Sequence, residues 1–291
     1  RALFLGPQSN RGGLRKALKR FLDILRSTDF KAIVIDYDGT LCVKENRFNS
    51  LDPAISKELN RLLGGGALIG IATGRGRSAH LELREAVDPA HWNSVVVGMY
   101  NGSYIRGLAD PIPENVEDSV VPELATAFER LKPLSVPLAF EIELRSNQIS
   151  VRPHIGPNPS DLRTLVTEQL VGIRHLEVVT SSHSVDVIPA LTSKTAVVDT
   201  ILSRLHGDDR GRILCIGDQG AAGGNDFELL NTGLSLSVDR VSSRLDTCWN
   251  LGTPGFKGPA IALEYLRALT VEQGVISFDP STLPSFERLQ K

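Results

Sequence analysis

The chain predicts an α/β protein whose parallel-sheet core is interrupted by a smaller α+β lobe. Three observations carry that reading. Short β-branched runs alternate with amphipathic stretches from Lys31 to about Asn101 and again after Lys194, the pattern of crossover connections in a parallel sheet. Between them the order changes to helix, two strands, helix, two strands, with short turns such as Ser146-Asn147, which suits a small antiparallel sheet with helices on one face. The 291 residues are 41% hydrophobic and 23% charged, enough apolar material for one large domain or two modest ones.

Taken in order, Ala32 to Ile35 is an apolar run ending at an acid, read as a fully buried central strand. Asp52-Pro53 then supplies a helix N-cap and first-turn proline, Ile55, Leu59, Leu62 and Leu63 form the apolar stripe, and Gly64-Gly65-Gly66 stops it. Ala67 to Ala72 is the next strand, Arg77 to Val87 a helix closed by Asp88-Pro89, and Val95 to Val97 a third strand. Residues 106 to 116, rich in Pro, Asp and Glu without periodicity, read as a linker. The lobe follows: a helix at Pro122 to Leu131, strands at Leu138 to Leu144 and Gln148 to Val151, a helix after Asn158-Pro159, and strands at Leu176 to Thr180 and Ser184 to Ile188. After Lys194 come a helix to about Leu205, a strand at Ile213 to Ile216, a short helix near Phe227 to Leu230, a strand at Leu234 to Val238 and a helix at Pro259 to Leu269.

The expected division is therefore a core over 31–105 and 190–270, an inserted lobe over 106–189 and a tail over 271–291. Residues 1–30 read as a basic amphipathic linker or the end of an upstream domain. There Arg11, Arg15, Lys16, Lys19, Arg20 and Arg26 are interleaved with Leu14, Leu18, Phe21, Leu22 and Leu25. That pattern favours a docking or linker helix with a solvated basic face over a membrane or nucleic-acid binder. The start at Arg1, directly before the apolar run Ala2 to Leu5, suggests a segment of a longer protein.

Composition narrows the function. Lys and Arg number 32 against 34 for Asp and Glu, a formal charge of -2, which gives no broad cationic field for non-specific nucleic-acid binding. No apolar run approaches the roughly 18 residues needed to cross a bilayer, and the amino end has no signal-peptide pattern. Cys42, Cys215 and Cys248 are far apart with no C-x-x-C pair, so reduced thiols in a cytoplasmic protein are expected and a zinc site is not.

The chemistry concentrates at strand ends. In Asp36-Tyr37-Asp38-Gly39-Thr40-Leu41, alternation along an extended chain sets Asp36 and Asp38 on one side, above the carboxyl end of the sheet. Paired carboxylates repel, and a divalent cation with oxygen ligands such as Mg²⁺ makes both useful. Gly39 lets the backbone turn and present amides to an anion. Ile71-Ala72-Thr73-Gly74-Arg75 closes the second strand with a hydroxyl and a glycine suited to a phosphoryl oxygen. Lys194 falls in the first turn of a helix, where a cation is disfavoured unless it faces an anion. Gly217-Asp218 ends a later strand, and Asn225-Asp226 follows a glycine-rich loop. Gly74-Arg75-Gly76 is no dinucleotide fingerprint, and 217–224 no phosphate loop of the Walker type.

In this order, the D-x-D-G-T-L of Asp36 to Leu41, the strand-terminal Thr73, the helix lysine Lys194 and the G-D/N-D pair Gly217-Asp218 and Asn225-Asp226 resemble the haloacid dehalogenase superfamily of phosphohydrolases. The resemblance covers 31–105 and 190–270 and implies a Rossmann-like core. The lobe lies where that superfamily inserts a C2 cap, and its α-β-β-α-β-β order is similar to the C2B caps of sucrose-phosphate and trehalose-phosphate phosphatases and phosphomannomutases. The resemblance implies Asp36 as nucleophile, Asp38 as general acid and base, and Thr73 and Lys194 on the phosphoryl oxygens. It further implies Mg²⁺ on Asp36, Asp38 through its backbone carbonyl, Asp218 and Asp226. Gly39, Thr40, Gly74, Arg75, Asn101 and Gly102 are the expected substrate contacts. Cap positions Glu141, Arg145, Arg152, His154 and His183 are further candidates. One departure stands out: Gln219 to Gly224 intervenes between the two acid pairs, a longer and, by expectation, more mobile loop than C2-capped members carry.

The expected activity is Mg²⁺-dependent hydrolysis of a small phosphorylated metabolite, foremost a phosphosugar, through an aspartyl-phosphate. The alternatives are a phosphomutase, a nucleotide or nucleic-acid-end phosphatase, and a non-catalytic regulatory module; a polymer substrate is disfavoured because a cap roofs the site.

Overall fold

The computed structural model describes residues 11–43, 51–112, 121–135, 140–145, 147–153, 159–180, 184–205 and 210–287. His154, His183 and residues 113–116 of the expected linker lie outside them. In chain order the elements are α1 (Arg11–Ser27), β1 (Ala32–Asp36), α2 (Pro53–Gly64), β2 (Leu68–Ala72), α3 (Arg77–Ala86), β3 (Val95–Met99), β4 (Tyr104–Gly107), α4 (Pro122–Leu131), β5 (Phe140–Arg145), β6 (Gln148–Pro153), α5 (Pro159–Gln169), β7 (Leu176–Thr180), β8 (Val185–Pro189), α6 (Thr195–Arg204), β9 (Ile213–Gln219), α7 (Phe227–Asn231), β10 (Ser235–Arg240), α8 (Pro259–Ala268), β11 (Leu269–Glu272) and β12 (Val275–Phe278).

The larger sheet has the order β10-β9-β1-β2-β3-β4. Its first five strands are parallel, and β4 closes the edge antiparallel to β3. Every residue of β1 is buried, as a central strand covered on both faces requires. Ile33 and Ile35 point into a core shared with α1, α2, α3 and α8, whereas Ala32 and Val34 point into a core shared with α6 and α7. The sheet is thus wound on both sides, and the carboxyl ends of its strands open on one rim. The four-stranded antiparallel sheet, order β5-β6-β8-β7, carries α4 and α5 over its own apolar cluster of Leu124, Leu131, Val151, Leu162 and Val187.

Three sequence expectations need correction. The stretch read as a linker from 106 begins inside β4, which pairs Val96 with Gly107 and Gly98 with Ile105. The stretch read as a tail from 271 begins inside the β11–β12 hairpin, and Phe30 and Ile276 exchange backbone hydrogen bonds of 2.8 Å each. Rather than leading away as a linker, α1 lies on the core. Phe21 and Leu25 are buried with the residues of β1, and Phe21 packs at 6.1 Å from Trp249. Among the described residues no helix is long and apolar enough to cross a membrane.

Candidate active site

β1 ends at Asp36, beside Ala72 of β2, while its neighbour β9 runs on past the expected Ile216 to Gln219 and so carries Asp218 within the strand. Beyond Asp36 the chain turns at once. The amides of Leu41 and Cys42 donate to the Tyr37 carbonyl at 2.8 and 3.2 Å, and Gly39, at φ 87°, donates to Cys42 O at 2.9 Å. The positive φ is what a glycine supplies there without strain.

Asp36 is 1% exposed. Its Oδ2 accepts from the Thr40 hydroxyl at 2.8 Å and its Oδ1 from Lys194 Nζ at 2.6 Å. Lys194, also 1% exposed and standing at the amino end of α6, donates equally to Asp226 Oδ1 at 2.6 Å. The other oxygen of Asp226 accepts the backbone amides of Asp218 and Gln219 at 2.9 and 3.0 Å. Gly217 permits this approach, because a Cβ there would stand 2.8 Å from Asp226 Oδ2. Gln219 Nε2 donates to Asp218 Oδ2 at 2.9 Å.

Burial, reinforced by Asp226, pushes the Asp36 carboxyl up to about 7. Burial likewise drives Asp218 well above the usual carboxylate range, with Asp226 and Asp36 adding to it. Against the same burial, the Lys194 ammonium holds Asp226 below its ordinary value, and the two acids hold Lys194 above its own. The physical picture is a cluster short of positive charge. Asp36, Asp218 and Asp226 present ligand atoms within 4.8 Å of one another, all buried, and one lysine offsets one of three potential negative charges. Buried uncompensated carboxylates are costly, and an all-oxygen set of this charge suits a hard divalent cation. The residues therefore fit Mg²⁺. Both oxygens of Asp36 accept hydrogen bonds, from Thr40 and Lys194, as do both of Asp226, from Lys194 and the two amides, while Asp218 Oδ2 accepts from Gln219.

Asp38 stands beside this trio, its carboxylate outside it. Thr73 Oγ1 donates to Asp38 Oδ2 at 3.1 Å, the Arg75 amide donates to Thr73 Oγ1 at 2.9 Å, and Cys42 Sγ lies 3.6 Å from Asp38 Oδ1. Gly74 faces Asn101, whose Oδ1 would lie 3.4 Å from a Cβ at 74. Asn101 is buried in the left-handed region at φ 56°, its amide donating to Thr73 O at 2.8 Å. Gly102, at φ 92°, lies so close to the Ser193 carbonyl that a Cβ would collide with it. This close approach sets the Asn101 loop against the segment that delivers Lys194.

Arg75 departs from expectation. Its guanidinium is 1% exposed and engages both oxygens of Glu82, the Ser78 hydroxyl and the face of Tyr37, with Asp38 Oδ1 at 3.8 Å. It braces the wall behind Asp38 instead of facing a substrate. The Gln219 to Gly224 loop departs too: far from loose, it is anchored on the small sheet. Thr180 N–H donates to Gly223 O at 3.0 Å, and Asn225 N–H donates to Thr180 O at 2.9 Å. Glu141, Arg145 and Arg152 pair among themselves and with Glu143 along β5 and β6.

Sequence reasoning did not single out Gln148, whose Oε1 accepts from Asn101 Nδ2 at 3.0 Å, nor the residues around the adjoining cavity. That cavity, about 220 Å³, is lined by Asn101, Lys194, Arg163, Glu177, Asn225 and Glu228, with further residues of β7 and the Gly223 to Glu228 segment. The available signal was Gln148 itself, a polar residue at a buried position of an alternating strand.

The acid cluster and its buried lysine thus stand at the carboxyl ends of a doubly wound parallel sheet, the place where α/β folds of this class bind their ligands. The haloacid dehalogenase-like hydrolase family matches residues 33–136 of the chain. No curated protein sequence matches it. Among solved structures it is similar to the C-terminal domain of C. albicans trehalose-6-phosphate phosphatase, with 16% identity and a TM-score of 0.58 over 90% of this chain and 97% of that one. It is also similar to IMP-bound Plasmodium falciparum IMP-nucleotidase, with 16% identity and a TM-score of 0.58 over 82% and 72%. At such identity these likenesses speak to the fold.

Proposed function

We propose that the protein is a Mg²⁺-dependent phosphomonoester hydrolase acting on a small phosphorylated metabolite, foremost a phosphosugar. The observation that carries this reading is the buried Asp36, bonded to Lys194 at 2.6 Å and grouped with Asp218 and Asp226. In the first half-reaction an Asp36 oxygen attacks phosphorus, the bond to the ester oxygen breaks, and Asp38 gives its proton to the departing alkoxide. In the second, Asp38 takes a proton from water, the water oxygen attacks phosphorus, and the aspartyl bond breaks to regenerate the Asp36 carboxylate and release phosphate. Lys194 neutralises phosphoryl oxygens beside Asp36, and Asp226 holds Lys194 and the Asp218 amide in place. Thr73 orients Asp38. Mg²⁺ held by Asp36 and Asp218 would supply charge neutralisation.

The likeness to a sugar-phosphate phosphatase and to a nucleotidase leaves a nucleoside monophosphate as the second reading, favoured by Phe227 on the cavity wall, where a base could stack. The test is phosphate release from phosphosugars and nucleotides with Mg²⁺ or with EDTA, in the native chain and in Asp36→Asn. The expected result is metal-dependent release by the native chain and none by the variant. Retained turnover in Asp36→Asn refutes the covalent route.

A further inference from the structure

We infer that Glu82, on α3, is a positioning residue for Asp38: by holding the Arg75 guanidinium it sets how the Asp38 carboxylate meets the oxygen of the departing group. The inference deepens the phosphomonoester reading and rests on it. Glu82 acts at one remove, since its two oxygens accept from Arg75 and Tyr37.

A single residue braces both oxygens of Asp38. The Arg75 amide donates to Thr73 Oγ1 at 2.9 Å, so that hydroxyl turns its own proton outward and donates it to Asp38 Oδ2 at 3.1 Å. On the other side Arg75 Nη1 stands 3.8 Å from Asp38 Oδ1. At that separation the charge is felt, but no hydrogen bond forms.

A guanidinium only 1% exposed has to keep a carboxylate partner, and a full pair with Asp38 would tie up the group that must exchange a proton with the ester oxygen. Glu82 supplies the partner instead. Nη1 donates to Glu82 Oε2 at 3.0 Å and Nη2 donates to Oε1, while Nε and Nη2 donate to the Ser78 hydroxyl at 3.2 and 3.1 Å. The fork is thus occupied on α3, and Asp38 keeps a neighbouring positive charge without being captured by it.

Tyr37 ties this assembly to the backbone between the two acids. The guanidinium carbon lies 5.3 Å from the centre of its ring, its hydroxyl donates to Glu82 Oε2 at 2.8 Å, and its carbonyl accepts the Leu41 and Cys42 amides at 2.8 and 3.2 Å. Burial and the adjacent Glu82 keep that hydroxyl protonated, so it stays a donor. The residue that separates Asp36 from Asp38 therefore also orients Glu82.

Leaving-group chemistry distinguishes positioning from a structural role. Phenoxide needs a proton from Asp38 as its bond to phosphorus breaks, whereas dinitrophenoxide leaves as a stable anion. The full chain with Mg²⁺ should be assayed on phenyl phosphate and on a dinitrophenyl phosphate, and kcat/KM compared, which reports the steps up to transfer onto Asp36. Glu82→Gln keeps the shape and removes the charge, so Arg75 turns to Asp38. Arg75→Met/Glu82→Met removes both partners, so that neither charge is left buried alone. General acid catalysis is worth about 10²–10⁴-fold, so each variant is expected to lower kcat/KM for phenyl phosphate by about tenfold or more and for the dinitrophenyl ester by less than about threefold. Asp38→Asn is expected to show the same selective loss, only larger. Both esters are measured on one preparation, so any misfolded fraction cancels in their ratio. An equal loss on the two esters in either variant, or no loss, overturns the inference and, where Asp38→Asn is selective, leaves the phosphohydrolase reading standing. No hydrolysis of either ester by the native chain, or no selectivity in Asp38→Asn, defeats that reading and the inference with it.

Discussion

Lys194→Met probes the charge balance of the site directly. The substitution keeps chain length and apolar stem but removes the ammonium that bonds Asp36 and Asp226 at 2.6 Å each from a position 1% exposed. Stripping one partner from a buried ion pair costs about 3–5 kcal/mol, because the remaining charge stays buried. At about 2–4 °C per kcal/mol for a large domain this is a fall in Tm of about 6–20 °C. The pH dependence has a definite sign. Asp36, already pushed up to about 7, moves higher still without the ammonium. An acid whose folded pKa lies above its unfolded value of about 3.9 contributes stability that is full below the unfolded value and is lost as pH rises through the folded one. The variant should therefore lose the contribution of Asp226, which Lys194 holds ionised, at both pH 5 and pH 8, and a further amount at pH 8, where Asp36 would also have to ionise. Urea unfolding of both proteins in EDTA at the two pH values measures the difference. A loss under about 1 kcal/mol at pH 8, or one that is equal at both pH values, refutes the charge-balance argument.

Mg²⁺ should raise the melting temperature of the native chain more at pH 8 than at pH 5, because Asp36 and Asp218 must give up protons to bind it; a thermal shift that is flat with pH counts against those two ligands. Gly102→Ala forces a Cβ into the Ser193 carbonyl at a backbone φ of 92°, so a stability loss of about 1–3 kcal/mol is expected in urea, accompanied by lower kcat as the Lys194 segment shifts. Arg75→Met leaves Glu82 without the guanidinium that both its oxygens engage and should cost about 3 kcal/mol of stability. A raised KM with stability unchanged would instead return Arg75 to the substrate.

The sheet and the strand that carries Asp36 were legible because they depend on local pattern. A run such as Ala32 to Ile35 can only be a strand covered on both faces, and the acid that ends it must then lie at the sheet rim. β4 was not legible. Tyr104–Gly107 is short, half-exposed and contains a glycine, and what makes it a strand is its pairing with β3, a tertiary fact. The β11–β12 hairpin hid for a related reason. Leu269 continues the apolar stripe of α8, and the turn at Gln273-Gly274, with both residues at positive φ, lacks the Asn-Gly or Asp-Gly signal that such turns usually carry.

At the site, sequence spacing identified the acids but left their partners hidden. Nothing in the chain says that Lys194 divides its proton donors between Asp36, 158 residues away, and Asp226, 32 residues away, because only the fold sets those distances. Arg75 shows the converse error: beside a strand-end glycine it resembles a phosphate contact, yet Glu82 on the following helix captures it first. The Gln219 to Gly224 insertion is the most instructive case. Read along the chain, added length and glycine mean slack. In three dimensions the same residues bridge two sheets, and their glycines occupy the crowded and positive-φ positions that the bridge demands. Asp218, Asp226 and the cavity-lining Asn225 thus lie on one continuous segment, so a change in the length of this loop alters the cavity wall as well as how those two acids are held.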